Sequence, residues 1–288
     1  MSVDIPALLT PALQAQMQGA ARALRLPLRN HPWRGASGAW LGAGIGSSID
    51  FQDHRPYLPG DDPRYIDWQA YARSGNYTMK LYREEVSPCV DLALDLSASM
   101  WVDPDKARRS LELFYFAVES AQQCRGALRC YGVAGEDVML LPVETLHTEL
   151  EKKSAGSTDP AALRRIPWRS GSLRVFISDL LFPGSPALHP LAAAKGRGVI
   201  FVPWSQGESD PGWDGNLEFI DCETTQRRNQ RVHDDLLSAY LQAYRRHFDL
   251  WREHARQLGI LFARVPAEPE FLQALHTEAL PHGAVEPV

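Results

Sequence analysis

Hydrophobic and polar positions alternate in blocks along this chain, and the blocks change period. The clearest buried strand is 90–96, a short apolar run interrupted only by Asp91. Runs at 173–177, 198–203 and 260–265 read the same way, and 217–222 is a further strand. The stretches 128–133 and 138–143 read as a hairpin turning at Gly135. Helical spacing appears over 11–24 and again after Asp103, a natural N-cap followed by Pro104 at the first helical position. Ala107, Leu111, Phe114, Val118 and Ala121 then share one apolar face, and Gly126 stops the helix. The longest helix starts near Val232. Its stripe of Leu237, Leu241, Tyr244, Phe248, Trp251, Ala255 and Leu258 steps by four and three and faces a core or a partner, and Gly259 ends it. Shorter helices are predicted over 144–152, 186–194 and 270–275.

Strands alternating with helices predict an α/β fold: an open, mostly parallel sheet with helices on both faces. The chain upstream is different in kind. Pro27, Pro32 and the glycines over 35–46 break regular structure. Residues 50–85 are aromatic and charged, with turns at Pro59-Gly60 and Ser74-Gly75, and 77–86 alternates as a strand. The composition shift at 85–89 sets the expected boundary. It separates an irregular/β N-terminal extension, 1–84, from an α/β domain, 85–280, and a tail, 281–288.

Bulk properties narrow the functional classes. A chain of 288 residues, 44% hydrophobic and 23% charged, is globular and long enough for one large α/β domain with an appendage. A net charge of −5 argues against a dedicated nucleic-acid binder. Cys89, Cys124, Cys130 and Cys222 form no C-x-x-C pair, so they are expected to be reduced core residues rather than a zinc or redox motif. No apolar run is long enough to span a bilayer, and the first 26 residues lack the order of a signal peptide, so a cytoplasmic protein is expected. There is no Walker A pattern, so ATP hydrolysis is not expected.

The chemistry concentrates at strand ends. The strand at 90–94 runs into Asp95, and the one at 173–177 into Ser178-Asp179. In open α/β sheets, ligands sit beyond the carboxyl ends of the strands, near the switch in strand order. Asp95, Ser97 and Ser99 alternate, so three oxygen-bearing side chains can aim at one point. Such a donor set suits a hard cation, magnesium or else manganese or calcium. The absence of His and Cys from these loops argues against zinc. Taken singly, Ser97, Ser99, Thr158 and Asp179 are each ordinary turn or helix-cap residues. His233, His247 and His254 on the long helix are expected to be solvated.

Asp95-x-Ser97-x-Ser99, followed by Thr158 in a Gly-x-Thr loop and by Asp179 after an apolar strand, resembles the metal-ion-dependent adhesion site (MIDAS) of von Willebrand factor A domains. The resemblance implies that Ser97, Ser99 and Thr158 are direct ligands, with Asp95 and Asp179 acting through waters or hydrogen bonds. Leu180 departs from the pattern, since many members carry glycine there. Phe51, Arg55-x-Tyr57-x-Pro59-Gly60-Asp61-Asp62, Arg64-x-Ile66-Asp67-Trp68 and Ala72-Arg73 further resemble a bacterial branch of that superfamily, domain-of-unknown-function family fifty-eight. Members of this branch commonly lie beside genes for MoxR-type AAA+ ATPases. The resemblance covers roughly 35–275.

What it implies is a non-enzymatic, metal-dependent protein-binding module. Its open metal position would take an Asp or Glu from a client protein, and a MoxR-type ATPase would assist in chaperone-like assembly or remodelling. The alternatives are a metal-dependent phosphoesterase using Asp95 and Asp179, or a scaffold with a vestigial metal site. In the preceding segment, Arg55, Asp61, Asp62, Arg64, Asp67 and Arg73 can form carboxylate–guanidinium pairs. That cluster would either lock the segment in place, with Tyr57 and Trp68 as anchors, or dock a partner.

Overall fold

A computed structural model describes residues 8–28, 49–84, 88–143, 158–182, 184 and 186–288. The helix expected over 144–152 and most of the Gly-x-Thr loop lie outside them. The chain divides into two units: one comprises residues 1–30 with 88–288, the other residues 31–87. Of the expected extension, the described residues 8–28 fall with the larger unit. Helix α1 (Pro11–Ala23) begins on a Thr10 cap and buries Leu13, Met17, Ala20 and Ala21. Strand β1 (Leu24–Arg25) follows at once.

The smaller unit holds β2 (Ile49–Pro56), α2 (Trp68–Ser74) and β3 (Thr78–Glu84). Strands β2 and β3 pair antiparallel, with an irregularity between Phe51 and Asp53. Asp67 caps α2 by accepting from the amides of Gln69 and Ala70, both at 3.0 Å. Gly75, at φ 72°, ends the helix.

The larger unit is built on β4 (Cys89–Asp95), α3 (Pro104–Gln123), β5 (Ala127–Ala134), β6 (Asp137–Leu140), β7 (Leu173–Ile177) and β8 (Arg197–Trp204). A hairpin of β9 (Gly215–Ile220) and β10 (Arg227–Val232) comes next, then the long helix α4 (Asp234–Gln257), β11 (Leu261–Pro266) and β12 (Glu286–Pro287). Among the described residues, six strands form one sheet in the order β11-β8-β7-β4-β5-β6. All neighbours are parallel except β5 and β6. This is the expected open, mostly parallel α/β sheet.

The order runs outward in both directions from β4, which lies between β5 and β7. Its interior position explains its composition: Val90, Leu92, Ala93 and Leu94 are all fully buried. Asp91, the one interruption, is also fully buried. It accepts from the backbone and side chain of Arg169 and from the Ser172 hydroxyl. That pairing fixes the starts of β4 and β7 beside each other, with Val90 opposite Leu173 and Leu94 opposite Ile177.

Helix α4 lays Tyr244, Phe248, Trp251 and Ala255 into the core. The stripe faces the core in that half, whereas Leu237 and Leu241 are only half-buried. Arg264 of β11 helps hold the helix: its guanidinium lies 3.9 Å from the Phe248 ring centroid and donates to the Tyr244 hydroxyl at 2.7 Å.

Several expectations give way. The helix expected over 186–194 is one turn, His189–Ala192, and the last helix is a turn at Phe271–Ala274 continued by Leu275–Ala279. Strand β10 has no apolar alternation, because it pairs only with β9 and stays largely exposed. The expected tail is integrated: β12 pairs with β1, and Glu286 accepts from Arg25 at 3.1 Å in a nearly buried ion pair. Among the cysteines only Cys130 is buried, and Cys222 is exposed.

Gly132 of β5 is tightly enclosed. A Cβ there would lie 2.7 Å from Leu96 Cδ1 and 2.9 Å from Leu141 Cδ1. Gly132→Ala is expected to cost about 1–3 kcal/mol of stability by overpacking, measured by denaturant unfolding.

Candidate metal centre

Asp95 ends β4 and Ser178-Asp179 follows β7, so the two acidic strand ends lie side by side where the strand order switches. Asp95 is fully buried, and Ser97, Thr158, Ser178 and Asp179 are at most 2% exposed. A buried carboxylate must be compensated, and hydrogen bonds do this for Asp95. Its Oδ1 accepts from the Thr158 hydroxyl at 2.6 Å and the Ser97 amide at 2.8 Å, and its Oδ2 accepts from the Ser178 hydroxyl at 2.7 Å. The Ser97 and Ser99 hydroxyl oxygens lie 3.1 Å apart. Asp95, Ser97, Ser99 and Thr158 thus form one connected group.

The ordinary capping roles of these residues are filled differently. Asp159, not Thr158, caps the turn at Pro160–Arg165, accepting from the Ala161 amide at 2.8 Å. Ser97 precedes the turn at Ala98–Trp101 without a side-chain capping bond. Both hydroxyls are thereby left to the group around Asp95.

Asp179 is held by other partners. Its Oδ1 accepts from the Leu181 amide at 3.2 Å, and its Oδ2 accepts from the Lys106 ammonium at 3.0 Å. Lys106, in the first turn of α3, is buried and also pairs with Glu208. Burial works against its charge, and the carboxylates of Asp179 and Glu208 more than offset this, holding its pKa above the usual lysine range. Lys106 and Glu208 did not emerge from sequence reasoning. The available signal was electrostatic: a lysine in the first turn of a helix faces the positive end of the helix dipole, where acidic residues are preferred.

Leu180 adopts a left-handed backbone, φ 56°, at the position where the resemblance leads one to expect glycine. Left-handed geometry costs a non-glycine residue about 1–2 kcal/mol. The Leu180 side chain is fully buried, a gain of ~1.5–3 kcal/mol that offsets the strain. The Leu180 carbonyl lies 2.7 Å from Nε2 of His247 on α4. His247 is therefore half-buried and engaged, not solvated as expected. His233 is exposed and His254 half-buried.

In the smaller unit, Arg55 grips Asp61 through two bonds of 2.7 Å, and Asp61 Oδ2 also accepts from the Leu58 amide at 2.8 Å. These bonds close the Pro59-Gly60 turn, in which Gly60 has φ 106°. The Arg55 guanidinium holds the Asp61 carboxyl down at about 2. Arg64 pairs with Asp62. Arg73 donates to the Gln69 carbonyl at 3.2 Å, while Asp67 caps α2. Trp68 is 58% exposed. Tyr57 is half-buried, its ring 6.2 Å from that of Tyr77, which stacks on Tyr71 at 4.5 Å.

Residues 53–115 match the family described as "Protein of unknown function DUF58". The similarity to that family is confined to this segment. It carries the Arg55–Arg73 signature together with Asp95, Ser97, Ser99 and Lys106. No curated protein matches the chain. Among solved structures, similarity extends to the conserved hypothetical protein BatB from Bacteroides thetaiotaomicron. The identity is 13%, the TM-score 0.35, and the match covers 68% of this chain and 98% of that one. It also extends to an aerotolerance-related membrane protein from Bacteroides fragilis NCTC 9343 with multiple mutations to serines. There the identity is 14%, the TM-score 0.32, and the coverage 59% and 99%. Among the described residues, no helix is long and apolar enough to cross a membrane.

The donor chemistry fits a hard divalent cation. Two ligands in adjacent octahedral positions around magnesium lie ~3 Å apart, close to the 3.1 Å between the Ser97 and Ser99 hydroxyl oxygens. Among the described residues, no group of three or more His, Cys, Asp or Glu could hold a metal ion.

Burial pushes the Asp95 carboxyl up to about 6, the Asp179 charge adds to the shift, and the bonds from Thr158, Ser178 and Ser97 oppose it. An acid whose folded pKa is raised favours the folded state most when protonated. In chelator-treated buffer, the Asp95 contribution should be fully present below about pH 4 and lost as pH rises through about 6. The difference between wild type and Asp95→Asn, measured by denaturant unfolding at several pH values, should show this slope.

Proposed function

We propose that the chain is a non-enzymatic, metal-dependent protein-binding module with a von Willebrand factor A-like sheet. Ser97, Ser99 and Thr158 would hold a magnesium ion, with Asp95 and Asp179 behind them. The observation that carries this reading is the convergence of Asp95 with three hydroxyl residues at the switch point of the sheet. Thr158 supports it further. Its hydroxyl proton is directed to Asp95, so its oxygen lone pairs remain available to a cation. When bound, the ion would supply a Lewis-acid position that neutral hydroxyls leave electron-poor and therefore attractive to a partner's carboxylate. Asp95 orients the Thr158 hydroxyl and the Ser97 amide, and Asp179 adds negative charge beside it.

Magnesium or manganese should raise the melting temperature of wild type and leave Asp95→Ala and Thr158→Ala unshifted. Acetate, as a minimal carboxylate ligand, should tighten manganese binding to wild type, followed by electron paramagnetic resonance. Identical metal responses in all three proteins would overturn the reading.

The partnership with a MoxR-type ATPase and an acidic client comes from the family resemblance, and the Arg55–Arg73 segment is the proposed docking surface. Arg64 tests it well, because its side chain is 80% exposed. Arg64→Glu should change stability by less than about 0.5 kcal/mol. Loss of ATPase association in that folded variant, measured by analytical ultracentrifugation, is the expected result, and unchanged association would remove the segment from the interface.

A further inference from the structure

A buried ammonium within the candidate centre has no place in a donor set made only of hydroxyls and carboxylates. The Lys106 side chain is 2% exposed and points inward from the first turn of α3. Its Nζ lies 3.0 Å from Asp179 Oδ2 and also pairs with Glu208. The other oxygen of Asp179 accepts from the Leu181 amide, so both of its oxygens are already engaged. Asp95 is engaged by three separate donors. Glu208 is itself fixed, since its second oxygen accepts from the Ser205 amide at 3.3 Å. The helix dipole disfavours a cation in this first turn, so the two carboxylates are what hold Lys106 there.

We propose that Lys106 is a resident counter-cation that competes with a divalent ion for the negative charge of Asp179, and so sets the metal affinity of the centre. The inference rests on the metal-binding reading above. It makes Lys106 a positioning residue and Glu208 its modulator: the more firmly Glu208 holds Lys106, the less the ammonium opposes an incoming ion. Like charges at close range in a buried site repel strongly, because little water screens them. Removing the ammonium should therefore strengthen binding, the reverse of what a purely structural lysine would do. Were Lys106 purely structural, its removal would instead free Asp179 to turn away and would weaken metal binding.

The test is manganese titration of full-length wild type, Lys106→Gln and Glu208→Gln, read by electron paramagnetic resonance, with thermal unfolding in parallel. Lys106→Gln should bind manganese on the order of ten-fold more tightly than wild type. It should melt lower than wild type without metal and gain more from it, because the buried Asp179 and the half-buried Glu208 lose their counter-charge. Glu208→Gln, which leaves Lys106 wholly to Asp179, should bind several-fold more weakly and keeps the question decidable if Lys106→Gln does not fold. Equal or weaker binding by folded Lys106→Gln, or unchanged or tighter binding by Glu208→Gln, overturns the inference while leaving the metal site standing. Failure of wild type itself to bind manganese overturns the metal reading and the inference with it.

Discussion

Parallel pairing of β4 with β7 is the constraint on which the larger unit depends. It places a buried acid at each end of β4, and each must be compensated without water. At the start of the strand, Asp91 is matched by Arg169 and Ser172, a closed arrangement that fixes register. At its end, Asp95 is matched by hydroxyls and an amide, and Asp179 by an ammonium. A fixed arginine stabilises and leaves little chemistry available. Hydroxyls stabilise while keeping lone pairs that can face a ligand.

The loop after β7 shows how such a site is kept in shape. Leu180 is strained in its backbone and gains by burying its side chain, and its carbonyl is tied to His247 of α4. The helix is in turn seated on β11 by Arg264. Asp179 is thus presented by a segment whose conformation is determined from two sides, the sheet below and the long helix beside it. A glycine would reach the same backbone geometry without strain but would give up the core contact.

The signature segment is organised by different forces. Its ion pairs connect residues a few positions apart, Arg55 with Asp61 and Arg64 with Asp62, and they shape a turn rather than a core. Exposed pairs of this kind contribute little stability. With Trp68 and Leu58 also exposed, the segment presents charge and aromatic surface to its surroundings.

The sequence by itself determined what depends on short-range pattern. Apolar runs marked β4, β7, β8 and β11, Asp103-Pro104 marked the start of α3, and the stripe from Tyr244 to Ala255 marked the buried face of α4. It also singled out Asp95, Ser97, Ser99 and Asp179, because hydroxyl and carboxyl residues after apolar strands are legible as spacing, whereas Thr158 was reached only through the family resemblance. Tertiary structure decided which charges meet. Nothing local pairs Lys106 with Asp179 and Glu208, or His247 with Leu180, and the terminal strand pair β1–β12 joins residues from opposite ends of the chain. The polar strand β10 was hidden for the same reason: its partner, not its own periodicity, makes it a strand. Periodicity reports which way a side chain faces relative to its own element. Burial of a charge is resolved only when distant elements close around it, and in this protein that closure turns an oxygen-rich loop into a compensated site.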